Sequence, residues 1–191
     1  MQFDQMDIAE LKAELEKLHS TSFGWALSCC RRDRSDAEEV LQTVYLKILE
    51  GKARFRGESS LKTWLFAVIR KTAATEYRRK LLRGLHLLPE LEEPKERIAP
   101  EESPTTTFER SELQNHFQSA LKNLPKRQRE ALHLVFYEDL SLREAADVMG
   151  VSIGSARQHY ERGKKRMREN LAHMEVGYEN NWRRQETQSA V

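Results

Sequence analysis

Four of the five prolines in the chain, Pro89, Pro94, Pro100 and Pro104, fall within residues 84–107. Proline lacks the backbone donor and pushes the residue before it towards extended backbone, so a sustained helix is excluded from this stretch. The same segment carries a run of glutamates and Thr105-Thr106-Thr107, the texture of an extended acidic tether. It divides the 191 residues into two pieces, neither longer than about 85 residues, whose cores are small and only moderately stable alone. The expected organisation is a folded piece over 1–83, the tether over 84–107, a second folded piece over 108–171, and a polar tail over 172–191 that frays.

Both pieces are patterned for helix, and strand signals are almost absent, so the fold class is all-α with two small helical domains. Ile8, Leu11, Leu15 and Leu18 form one stripe at helical spacing. Ala37, Val40, Leu41, Val44 and Ile48 form another, with Ser35-Asp36 placed to cap it and Gly51 placed to end it. Leu61, Trp64, Leu65, Val68 and Ile69 begin a third, which continues to Tyr77 behind Ser59 or Ser60 as N-cap. After the tether, helices are expected over 108–123, 126–138, 141–149 and 153–170, with Pro125 at the favoured start of the second.

Charge is segregated although its sum is only +2. Residues 52–83 hold ten Lys/Arg against two Glu, residues 84–112 three against eight Glu, and residues 151–171 six against two Glu. Two basic blocks flanking an acidic one suit a polyanion, whose counterions they release, although solvated helix faces also read this way. No run approaches the ~20 apolar residues of a membrane span, so no membrane insertion is expected. The acidic N-terminus has no signal-peptide pattern. The adjacent Cys29 and Cys30 are read as a reduced, structural pair, which points to the cytoplasm.

The sharpest local pattern runs from Leu142 to Tyr160. Ala146 leaves room for two helices to cross, Gly150 can take the left-handed conformation that ends the first, and Ser152 can cap the second. Ala156 and Tyr160 then face inward, leaving Ser155, Arg157, Gln158, Glu161, Arg162 and Lys165 facing out. Arginine pairs with guanine, glutamine with adenine, and glutamate accepts from cytosine, so this face can read a major groove. Lys164, Arg166 and Arg168 extend it with groups suited to phosphates. A helical hairpin with a wet second helix is the plain alternative, and it leaves the coincidence of small residue, glycine turn, cap and basic face unexplained.

Residues 124–150 closely resemble region 4 of bacterial sigma factors. Asp36-Ala-Glu-Glu-Val-Leu-Gln-Thr-Val-Tyr-Leu46 resembles region 2.2, Phe55 to Phe66 resembles region 2.3 and the loop before it, and Ile69 to Lys80 resembles region 2.4. Only these two regions and a short linker are present, which is similar to the extracytoplasmic-function (ECF) branch, and the likeness covers residues 18–171.

The resemblance implies a factor that binds core RNA polymerase, through its β′ clamp and β subunits, and directs it to promoter DNA. Asp36, Glu39, Gln42 and Leu46 carry over as polymerase contacts, although Asp36 with Glu38 and Glu39 also suits a helix N-terminus. Phe55, Arg56, Ser59, Ser60, Trp64, Arg70, Lys71, Arg78 and Arg79 carry over as contacts to the minus-ten element, with Lys80 beside them. Phe55 to Ser60 match the loop that holds a flipped base, and Trp64 the aromatic wedge, where plain core packing is the alternative. Leu65 stands where primary sigma factors carry a second aromatic, and Lys71 where many relatives carry asparagine. Ser155, Arg157, Gln158, Glu161, Arg162 and Lys165 carry over as readers of the minus-thirty-five element, with Glu161 reading a cytosine or pairing with Lys165. ECF relatives are commonly held by an anti-sigma factor, a further possible partner.

The pattern contains no phosphate-binding loop, dinucleotide fingerprint, nucleophile elbow or spaced metal-ligand set. The chain is therefore expected to be no enzyme and to need no metal, cofactor or small-molecule substrate. A stand-alone helix-turn-helix regulator would account for residues 124–168 but not 36–80, and a sigma mimic would not keep the basic faces.

Overall fold

A computed structural model describes residues 8–86, 120–121 and 123–188; for Ile8, Ala9, 84–86 and 173–188 it describes backbone alone. The expected helices over 108–123 and the tether beyond residue 86 lie for the most part outside the described residues. Among the described residues the structure is helical throughout, with no strand.

The first piece is a four-helix unit. Helix α1 (Ile8–Lys17) turns at Leu18 into α2 (His19–Cys29), and Leu11, Leu15 and Leu18 pack inward as their spacing predicts. Helix α2 has no clean apolar stripe, because Ser22 and Cys29 take two of its inward positions. Its anchor is Trp25, fully buried, which stacks on Phe66 at 5.9 Å and donates its Nε1–H to the Phe66 carbonyl at 3.0 Å.

Helix α3 (Arg34–Leu49) buries the five residues of its expected stripe. Its cap is Asp33 rather than Ser35-Asp36, the carboxylate accepting from the Asp36 N–H at 2.9 Å. Arg31 and Arg32, both at positive φ, turn the chain so that Asp33 is extended and the helix begins earlier than expected. Gly51, at φ 69°, ends it as predicted. Helix α4 (Leu61–His86) is capped by Ser60, whose Oγ accepts from the Thr63 N–H at 3.1 Å. It buries Leu65, Phe66, Ile69, Thr72 and Ala73, and it runs three residues beyond the boundary expected at 83.

In the second piece, α5 (Lys126–Leu132) follows Pro125 and widens into a π-turn over His133–Tyr137, where a plain α-helix was expected. The widening is visible in the Glu138 N–H, which reaches back to the His133 carbonyl at 3.2 Å. Helix α6 (Leu142–Met149) opens on a reciprocal cap between Ser141 and Glu144 and closes at Gly150, left-handed at φ 61°. Ser152 caps α7 (Ile153–Gln188) by accepting from the Ser155 N–H at 3.1 Å. The expected frayed tail is corrected: α7 continues as helix to Gln188, because no proline interrupts residues 172–188 and a single glycine does not stop a helix already propagating.

The two pieces do not have separate cores. A single buried cluster runs from Trp25, Phe66 and Ile69 to Leu134, Leu140, Val148 and Met149, with α4 packed against α6. A smaller cluster of Ala120, Leu124, Leu132 and Met167 ties α5 to α7.

Candidate functional site

Burying Ala37, Val40, Leu41, Val44 and Ile48 leaves the opposite flank of α3 to carry Glu39, Gln42 and Leu46, all exposed. Leu46 is 58% exposed, and Leu49, one turn on, 51%. Leu49 was missed in the sequence; the signal was an apolar residue lying off the buried stripe and three positions after Leu46. Asp36, at the head of the helix, is half-buried. Lys80 of α4 donates to both Asp36 and Glu39, the latter at 3.1 Å, and these hydrogen bonds, with Asp36 first, hold its ammonium pKa well above the usual lysine value. Lys80 thus neutralises the acidic end of the stripe rather than standing free for phosphate.

The loop before α4 brings the Phe55 and Trp64 rings to 5.5 Å. Trp64 sits half-buried at the core's edge while Leu65 takes the fully buried position. Ser60 is occupied as the α4 cap, and Ser59 donates to the Ser60 carbonyl at 3.2 Å. Arg56, Lys71, Arg78 and Arg79 are exposed, Arg79 pairing with Glu76 at 3.3 Å. Arg70 is set apart from them: its Nε donates to the Glu130 carboxylate of α5 at 3.3 Å. Lys62, two turns before Arg70, likewise reaches across to the Glu138 carboxylate at 3.0 Å and the Glu138 carbonyl at 2.8 Å. Lys62 was missed because nothing in its sequence neighbourhood names a partner 76 residues away.

On α7 the structure exposes Arg157, Gln158, Glu161, Arg162 and Lys165 together and buries Ala156 on the opposite side, as the spacing requires. Ser155 is half-buried, its hydroxyl 2.9 Å from that of Ser152. Glu161 pairs with Lys164 at 3.0 Å, not with Lys165, and Lys164 also lies over the Tyr160 ring. Lys165 stands 4.0 Å from Glu169.

Between the two pieces lies a cavity of about 360 Å³, with Asp36, Glu39 and Lys80 on one wall and Lys126 and Arg129 on the other. Cys29 and Cys30 also line it. Burial pushes the Cys29 thiol well up and the Cys30 thiol to about 11, so both are protonated at neutral pH, the unreactive form.

These features match known proteins in both halves. The model described as Sigma-70 region 2 matches residues 15–82, and that described as Sigma-70, region 4 matches residues 115–167. The RNA polymerase sigma factor SigZ of Bacillus subtilis (strain 168) is 29% identical over 147 residues, 75% of this chain and 79% of that protein. The ECF RNA polymerase sigma factor SigX of the same organism is 26% identical over 146 residues, 76% of this chain and 74% of that protein. Among solved structures, the sigma factor RpoE of Bartonella quintana, crystallised with the anti-sigma factor NepR, superposes with a TM-score of 0.65. It is 24% identical, and the match covers 86% of this chain and 98% of that one.

Two helical modules in the order region 2, region 4 define a sigma-70-type protein. More narrowly, the chain belongs to the ECF sigma factor family, whose members are not enzymes. Among the described residues, no helix is long and apolar enough to cross a membrane.

Proposed function

We propose that this chain binds core RNA polymerase in the bacterial cytoplasm and directs it to promoters, reading the minus-ten element with its first module and the minus-thirty-five element with its second. The observation that carries the reading is the pairing of two unlike faces. Glu39, Gln42, Leu46 and Leu49 present a mixed polar and apolar stripe suited to a helical partner whose basic group takes the place of Lys80 on Glu39. Arg157, Gln158, Glu161 and Arg162 present a polar recognition face at the start of a capped second helix. The first is the chemistry of a protein contact, and the second that of base readout.

The Phe55–Trp64 pair is the proposed surface for unstacked non-template DNA, with Arg56, Ser59, Ser60, Lys71, Arg78 and Arg79 around it and Arg70 joining on rearrangement. Extruding a base costs a few kcal/mol, which stacking on an aromatic pair offsets. An anti-sigma factor is a further proposed partner, supported by the complex in which the similar Bartonella quintana sigma factor was solved.

The test is pull-down by core polymerase followed by run-off transcription with no inhibitor present. The wild-type chain is expected to bind and to initiate from a matched promoter. Glu39→Lys with Gln42→Ala is expected to lose binding at least tenfold, about 1.4 kcal/mol. Unchanged binding by the variant refutes the docking assignment. A wild-type chain that binds but never initiates refutes the promoter-directing role.

A further inference from the structure

Two consecutive lysines of α7 are held in opposite ways. The Lys165 side chain is 81% exposed and stands 4.0 Å from Glu169. That of Lys164 is only 34% exposed, its ammonium 4.7 Å from the centroid of the Tyr160 ring and 3.0 Å from Glu161 Oε1. Tyr160 lies four residues before Lys164 and Glu161 three, so both are its neighbours one helical turn away. Arg166 and Arg168 stand exposed, as suits phosphate contacts, but Lys164 is folded back onto its own helix and withheld from phosphate.

What Lys164 holds is the Glu161 carboxylate. Helix periodicity puts Glu161 in line between Arg157 and Lys165 on the outward face, with Lys164 on the flank towards Tyr160. Lys164 occupies Oε1, while Oε2 has no partner among the described residues. A carboxylate that faces a polyanion is repelled by it, so its place there needs a cation to offset the charge and a donor for its free oxygen. An ionised carboxylate only accepts. In the major groove, guanine presents acceptors, adenine sets an acceptor beside its amino group, and cytosine offers its amino donor alone. Resting on the promoter reading above, we propose that Lys164 is a positioning residue for base readout: braced on Tyr160, it fixes the Glu161 carboxylate and leaves Oε2 to accept from a cytosine amino group at one position of the minus-thirty-five element.

The experiment assembles the full-length chain with core polymerase and binds it to a promoter library randomised over the upstream element. Variants are compared by base preference at each position and by the salt dependence of affinity. The wild type is expected to favour cytosine at one position roughly tenfold over the other bases. Glu161→Gln, whose amide both donates and accepts, is expected to move that preference to adenine. Lys164→Met keeps an unbranched stem on Tyr160 and loses the charge. Its cytosine preference is expected to fall roughly fivefold, with preferences elsewhere unchanged. Lys164→Arg, which also stacks on an aromatic face, is expected to restore it. A uniform loss of affinity in Lys164→Met, with a shallower salt dependence, would make Lys164 a phosphate contact and overturn the proposal. An unchanged base preference in Glu161→Gln overturns it as well, since a pair that only stabilises the helix gives that result. If the wild-type complex enriches no upstream sequence, the promoter reading falls and this assignment with it. Enrichment that is the same in the wild type and both variants sinks this assignment alone.

Discussion

At Gly163 the backbone of α7 passes so close to α5 that an added Cβ would meet the Gln128 carbonyl and the Leu132 side chain at 3.1 Å. A carbonyl oxygen inside a helix cannot yield as a flexible side-chain end can. Gly163→Ala is therefore expected to destabilise the second module by about 1–3 kcal/mol, although alanine is the better helix former. A melting temperature equal to or above the wild type would refute the close approach. The inward side of Gly163 follows from Ala156 and Tyr160, seven and three residues before it, but its close approach to Gln128 and Leu132 of another helix left no trace in the sequence. Arg157 is the opposite case: its exposure follows from the inward Ala156 and Tyr160, so the sequence already places it on the outward face. Arg157→Ala is expected to cost about 1–3 kcal/mol at one base pair of the minus-thirty-five element. Equal loss on all sequences, measured by binding to a mutated promoter series, would make it a phosphate contact instead.

Elements were legible where their inward residues are apolar at steps of three and four, and illegible where polar residues take those places. Helix α3 buries its whole predicted stripe, and the turn from α6 to α7 uses Gly150 and Ser152 as their residue types require. Helix α2 left no such trace, since Ser22 is fully buried on it and Cys29 packs against the core. The π-turn at His133–Tyr137 was equally hidden: its extra residue places Glu138 opposite Lys62, a tertiary contact that local propensity does not encode. The start of α6 is held by the reciprocal Ser141–Glu144 cap, with the Ser141 hydroxyl 2.7 Å from the Glu144 carboxylate. Ser141→Ala removes one half of it and is expected to cost about 1 kcal/mol, in the range of other N-cap losses. Thermal unfolding indistinguishable from the wild type would mean that α6 is held by its packing against α4 and α7 rather than by its cap.

For the molecule as a whole, the proline-rich segment spells out two pieces but says nothing of whether they touch. The polar contacts that join them link residues 60 to 81 positions apart, and each is a charge or hydroxyl that reads as ordinary surface in its own segment. The closed arrangement also has a pH signature. Burial alone would raise the carboxyl of Glu138, but the His133 ring 3.4 Å away and the Lys62 ammonium at 3.0 Å outweigh it and hold the group below its ordinary value of 4.5. Glu144 is held low by the Ser141 hydroxyl and backbone, with a smaller contribution from Thr63 across the contact. A carboxyl lowered in the closed form stabilises that form fully above 4.5, and the contribution is lost as pH falls through the lowered value. Only the shares that cross the contact, Lys62 on Glu138 and Thr63 on Glu144, bear on compaction, because the His133 and Ser141 contacts lie within the second module; those shares contribute no change between pH 7 and 5 and favour opening at lower pH. Glu138→Gln cannot titrate, so its radius of gyration should rise less steeply than the wild type's as the solution is acidified from pH 5. Equal slopes for the two proteins would show that Glu138 keeps an ordinary carboxyl in the closed form and that the Lys62 contact holds nothing.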